Sequence, residues 1–171
     1  LLEYTHTNIQ NVKTSLENSG WVLLENQSEN DLNEILYTLG KVIFITDVVV
    51  KSESKAMVTS TKGLDLHTDH HNANYILWFC IEQTDKGGET LILDADNIYS
   101  QLTSEQQAEL HKINLFEHKI FPDDKEFHPL VFTDENGKRE FYYSFWLVNR
   151  NDRENEALLS FQSLILSTEP I

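Results

Sequence analysis

The residue types best placed to do chemistry stand together in the pentad His67-Thr68-Asp69-His70-His71. In an extended chain, side chains i and i+2 share a face. If Leu64–Asp69 is extended, His67 and Asp69 can therefore reach one ion together. Imidazole and carboxylate are the first two donor types of the two-His-one-carboxylate facial triad that holds non-haem Fe(II) for oxygen chemistry. An H-x-D triplet is common by itself, so the bland reading is two unrelated polar side chains on a strand.

A third ligand has several candidates. His70 is expected on the face opposite Asp69. His71 shares the Asp69 face, near the strand's end, with substrate contact or solvation as its readings. His111 falls on an expected helix and reads as a surface residue. His118 alternates with Phe116 and Ile120 along a possible strand. His128 precedes Pro129, where the chain must be extended. Tyr142, Tyr143 and Trp146 form an aromatic strand end, with core packing as the simpler reading and pocket lining as the alternative. Trp78 and Phe79 read as core. Cys80 reads as buried and inert. Ser144 lacks the Gly-x-Ser-x-Gly setting of a hydrolase elbow.

The elements that must position these groups follow from periodicity. Asn8–Ser19 carries Ile9, Val12 and Leu16 at helical spacing, with Gly20 to end the helix. Trp21–Leu24 reads as a short buried strand. Ser28-Glu29-Asn30-Asp31 opens a helix whose stripe is Leu32, Ile35, Leu36 and Leu39, closed by Gly40. Val42–Val50 is β-branched and reads as strand. Lys51–Lys55 reads as loop. Tyr75–Ile81 and Thr90–Leu93 read as strands around the turn Asp85-Lys86-Gly87-Gly88. Thr103-Ser104-Glu105 opens a helix with Ala108, Leu110 and Ile113. Leu130–Thr133 and Glu140–Phe145 read as a hairpin joined by Asp134-Glu135-Asn136-Gly137. Arg153–Leu166 reads as a final helix with Ala157, Leu158 and Phe161 on its apolar side.

Strands fill the middle and helices flank it, which predicts a mainly β (α+β) sandwich or barrel. A doubly wound sheet competes, but its phosphate-binding glycine motifs are absent. The chain has 171 residues, of which 40% are hydrophobic and 11% aromatic. That suits a single globular domain with a sizeable core. A net charge of −15 excludes a phosphate-tracking surface, so no nucleic-acid partner is expected. A lone cysteine allows no internal disulfide and suits a reducing, cytoplasmic setting. No apolar run is long enough to span a bilayer, so no membrane partner is expected.

The order of these features carries a family resemblance. His67-Thr68-Asp69, apolar Tyr75–Ile81, Gly87-Gly88-Glu89-Thr90 and then Asp94-Ala95 resemble the taurine dioxygenase-like (TauD/TfdA) family of Fe(II)/2-oxoglutarate-dependent oxygenases. Gly20-Trp21-Val22-Leu23-Leu24, the helix ending Leu39-Gly40, and His128-Pro129-Leu130-Val131 with Asn136-Gly137-Lys138-Arg139 fit the same pattern. The resemblance runs from about Asn11 to Leu166. It implies a double-stranded β-helix, or jelly roll. It implies Fe(II) held by His67 and Asp69, with 2-oxoglutarate and O2 as cosubstrates and Thr90 hydrogen-bonded to the 2-oxoglutarate carboxylate. The family's distal His and its 2-oxoglutarate-binding Arg lie on strands after the helix that Arg153–Leu166 resembles. No His follows His128. The expectation is thus one oxygenase domain over residues 1–171 whose C-terminal strands, with those two residues, lie beyond Ile171.

The activity so implied is hydroxylation of an unactivated C–H bond in a small acid, amino acid, sulfonate or carrier-tethered acyl group, with release of succinate and CO2. Asp69 disfavours halogenation, because halogenating relatives carry a small residue there. Two other readings compete. One is a non-catalytic jelly-roll binding domain. The other is a cupin-like metalloenzyme with His118 or His128 as third ligand.

Overall fold

A computed structural model describes residues 9–51, 53, 59–60, 62–116 and 126–171. They fall into two compact units, Leu1–Val49 with Leu77–Glu82, and Val50–Ile76 with Gln83–Ile171.

In the first unit, α1 (Ile9–Ser19) and α2 (Glu29–Leu39) are in contact, and Val12 and Ile35 are buried. The Ser28 hydroxyl accepts from the Asp31 N–H while the Asp31 carboxylate accepts from the Ser28 N–H, a capping box that fixes where α2 starts. The Gly40 N–H closes the helix on the Leu36 carbonyl. Both helices match the apolar spacing. The strands expected at 21–24 and 42–50 do not form, and 75–81, which spans the two units, is also irregular. The apolar side chains there are largely exposed, Trp78 at 61% among them, and Cys80 is exposed and not buried. The physical reason is shared. A strand cannot satisfy its own backbone groups, and among the described residues no neighbouring chain supplies a ladder to these segments.

The second unit holds the main core. Here α3 (Ala95–Ser100), α4 (Ser104–Leu110) and α5 (Glu156–Ser167) accompany two antiparallel two-stranded sheets. In one, β1 (Asn114–Phe116) pairs with β2 (Phe127–Pro129), Leu115 opposite His128. In the other, β3 (Val131–Thr133) pairs with β4 (Arg139–Phe141), Phe132 opposite Glu140. The β3–β4 hairpin turns at Asp134–Gly137 as its Asn-Gly predicts. Asp134 Oδ1 accepts from the Asn136 and Lys138 N–H groups, and Gly137 takes φ +82°, a conformation that favours glycine. These bonds hold the Asp134 carboxyl below its usual range, the Lys138 N–H first among them. The expected strand 140–145 stops early, and Phe145–Leu147 is a 3-10 turn. The strand expected at 90–93 is irregular, although the Ile171 N–H donates to the Ile92 carbonyl at 3.0 Å.

Helix α3 is absent from the sequence expectation. Asp94 caps it, its carboxylate accepting from the Asp96 and Asn97 N–H groups, and it buries Ile98 and Tyr99. Thr103 caps α4 and Asn155 caps α5 in the same manner. The core gathers Ile98, Leu110, Leu115 and Leu130 with Tyr142, Tyr143, Leu158 and Phe161. Phe161 stacks on Phe141 and meets Tyr143 edge-on, so α5 seals β4 and the chain just beyond it.

Candidate metal centre

His67 and Asp69 sit on a stretch without ladder hydrogen bonds of its own, anchored through the residue between them. The Thr68 N–H donates to the Tyr143 carbonyl at 2.7 Å, and the Thr68 hydroxyl accepts from the Tyr143 N–H at 2.8 Å. Tyr143 is buried beside Tyr142 and Ser144, so the anchor belongs to the core. Burial lifts the Tyr143 hydroxyl to about 12, with the nearby Asp65 charge adding to the rise. Across this stretch His67 Nε2 and Asp69 Oδ1 face each other at 3.7 Å.

The other ring nitrogen is spoken for. His67 Nδ1 lies 2.7 Å from the Asp65 carbonyl oxygen. A carbonyl only accepts, so Nδ1 carries a hydrogen, and Nε2 is the atom turned to the Asp69 carboxylate. Without a metal, a proton on Nε2 would face that carboxylate across 3.7 Å, an ion-pair and not a hydrogen-bond distance. The imidazole pKa is accordingly raised, by the Asp69 carboxylate foremost, against an opposing burial effect, with the Asp65 carbonyl adding to the rise. A divalent cation can take the proton's place between the two donors. Donors bound to one first-row ion at about 2.1 Å each stand about 3.0 Å apart at a right angle and about 4.2 Å apart when opposed. The observed 3.7 Å exceeds the cis spacing that a facial triad needs by about 0.7 Å, so the two side chains would close on each other to share one ion. The donor types, an imidazole with a carbonyl behind it and a carboxylate, are those such a site uses.

Trp146 forms one side of the pair. Its ring centroid is 5.3 Å from that of His67, at 53°. The 3-10 turn carrying it is held from behind by Arg153, which donates to the Trp146 and Val148 carbonyls. Leu115 bridges to Val148, which ties the turn to β1. The aromatic strand end thus divides. Tyr142 and Tyr143 are core, as the simpler reading has it, whereas Trp146 is 39% exposed and lies against the His67 ring.

The other described histidines make different contacts. The His71 ring stacks on His70 at 4.4 Å and stands 4.2 Å from His128, with Tyr142 edge-on to both. His128 Nδ1 lies 2.9 Å from the Pro129 carbonyl oxygen. Among the described residues no three His, Cys, Asp or Glu side chains gather to hold a metal, so His128 does not complete the His67–Asp69 pair. His118 lies outside the described residues. His111 ends α4 and pairs its Nε2 with the Tyr99 hydroxyl at 3.1 Å. Thr90 is exposed, after a turn in which Gly87 and Gly88 take φ near +80°. Asp65 is the site residue that the sequence does not mark, because it acts through its backbone and no side-chain pattern reveals it. Trp146, of the two readings open to it, takes a place beside His67 through long-range pairing.

A family model described as Taurine catabolism dioxygenase TauD, TfdA family matches residues 3–165. No curated protein and no solved structure matches the chain. No helix among the described residues is long and apolar enough to cross a membrane.

Proposed function

Because the chain belongs to the taurine catabolism dioxygenase TauD, TfdA family, we propose that it is an Fe(II)/2-oxoglutarate-dependent dioxygenase. In this reading it hydroxylates an unactivated C–H bond of a small acid, an amino acid or a carrier-tethered substrate and releases succinate and CO2. The observation that carries the reading is the donor pair: His67 Nε2 and Asp69 Oδ1 at 3.7 Å, with His67 Nδ1 turned to the Asp65 carbonyl.

The bound iron, with 2-oxoglutarate and O2, supplies an oxidant strong enough to remove hydrogen from such a bond. The residues supply position and protonation state. His67 gives up its Nε2 proton when the metal enters and keeps its Nδ1 hydrogen on Asp65. Asp69 contributes the negative charge that holds a dication and fills a position a halide would otherwise take. Trp146 walls the His67 side of the site and limits the directions from which substrate approaches. Thr90 donates its hydroxyl to a 2-oxoglutarate carboxylate. The reading takes a jelly roll as the complete fold.

The test is turnover by the full-length protein with Fe(II), ascorbate and 2-oxoglutarate against a panel of small acids, amino acids and carrier-bound acyl groups. Substrate-dependent succinate formation with matching O2 uptake is expected, and His67→Ala abolishes it. Equal succinate from His67→Ala and the unmodified protein rejects the assignment.

A further inference from the structure

The ligands' orientation depends on the residue between them. Thr68 makes two hydrogen bonds to one residue, Tyr143, through its own N–H and its own hydroxyl. In a regular antiparallel pair the second bond would come from a backbone carbonyl. Here the hydroxyl replaces it, and Thr68 Oγ1 also lies 3.4 Å from the Tyr143 carbonyl oxygen. Two bonds to one buried residue fix both the place of the chain at position 68 and its rotation about its own axis. The directions of the side chains at 67 and 69 follow from that rotation. The same stretch, Tyr143 to Val148, also presents Trp146 to the His67 ring and is itself tied to β1 through Val148.

We infer that Thr68 is a positioning residue of the metal centre: its hydroxyl, bonded to the Tyr143 N–H, aims His67 and Asp69 at one ion. This rests on the metal-binding reading given above. It assigns a requirement at a position where a β-branched strand residue such as Val would otherwise serve equally well. Val at this position keeps the shape, removes the acceptor and leaves the Tyr143 N–H unpaired inside the core.

Co(II) serves as a visible stand-in for Fe(II). It is titrated without oxygen into the full-length protein and into Thr68→Val and Thr68→Ser, following the metal's absorption and the melting temperature of each. Thr68→Val is expected to bind Co(II) about 10- to 100-fold more weakly, the usual loss for an outer-shell partner, and Thr68→Ser to stay within about 3-fold. Leu158→Ala, a core truncation in α5, lowers the melting temperature and leaves Co(II) affinity in place. Unchanged affinity in Thr68→Val overturns the inference. So does a loss in Thr68→Ser equal to that of Thr68→Val, or the same loss in Leu158→Ala. Hydrogen exchange at the Tyr143 amide of the unmodified protein needs no variant to fold: protection is expected, and exchange at the free-peptide rate overturns the clamp. If that amide is protected but the unmodified protein binds no Co(II), the metal reading falls and takes the aiming role with it, while the clamp stands.

Discussion

The contact between His67 and Asp69 stabilises the metal-free protein only while the imidazole is protonated, and Asp69→Asn isolates that effect. Two unit charges 3.7 Å apart attract by about 1 kcal/mol in water. The two side chains are 24% and 45% exposed, so water-like screening governs the pair and the much larger interior value does not apply. Measured exposed pairs give about 0.2–1 kcal/mol, in agreement. The sign with pH follows from the raised His67 pKa, to which the Asp69 carboxylate contributes most. A group whose folded pKa exceeds its unfolded value contributes stability that is complete below the unfolded value, about 6.5 for His, and lost as pH rises through the folded one. Asp69→Asn is therefore expected to cost the metal-free protein up to about 1 kcal/mol near pH ~5.5, or about 2–4 °C in melting temperature for a chain of this size. Near pH ~9, well above the ordinary His value, it is expected to cost almost nothing. Thermal melts in chelator across this range, read by circular dichroism, provide the assay. A loss of stability that is equal at every pH would make Asp69 a packing residue and not one half of a vacatable proton site.

Two further outcomes follow from the site. Trp146 is in contact with the His67 ring, so on the proposed reading Co(II) binding is expected to quench tryptophan fluorescence, and Trp146→Phe to remove most of the quench; a quench that survives the substitution contradicts the placement. Thr90→Val removes a hydroxyl assigned to 2-oxoglutarate, which is expected to weaken 2-oxoglutarate binding about 10-fold or more while Co(II) affinity is unchanged, as equilibrium dialysis would show.

Local signals in the sequence reach the structure where the structure is local. Leu32, Ile35, Leu36 and Leu39 with Ser28 and Gly40 specify α2 from both ends, and Asn136-Gly137 specifies the β3–β4 turn. The one-residue spacing of His67 and Asp69 likewise places both donors on one face, which needs only an extended chain. Pairing between distant segments is a different matter. Nothing in Thr68 or Tyr143 announces that they hydrogen-bond across 75 positions, and only that pairing sets Trp146 beside His67. Helix α3 was illegible for another reason. It is six residues long, too short to show a period, and rests on the Asp94 cap and two buried side chains. The segments 42–50 and 75–81 have strand composition without strand structure, because β-propensity reports a fit to a neighbour and not a backbone preference of its own.

On the proposed reading His67 and Asp69 hold an iron that accepts 2-oxoglutarate. Anaerobic titration of the full-length protein with Fe(II) and then 2-oxoglutarate is expected to give a weak visible charge-transfer band that appears only when both are present and is absent from His67→Ala and Asp69→Ala. A protein that binds neither, or a band that persists in both variants, contradicts that reading.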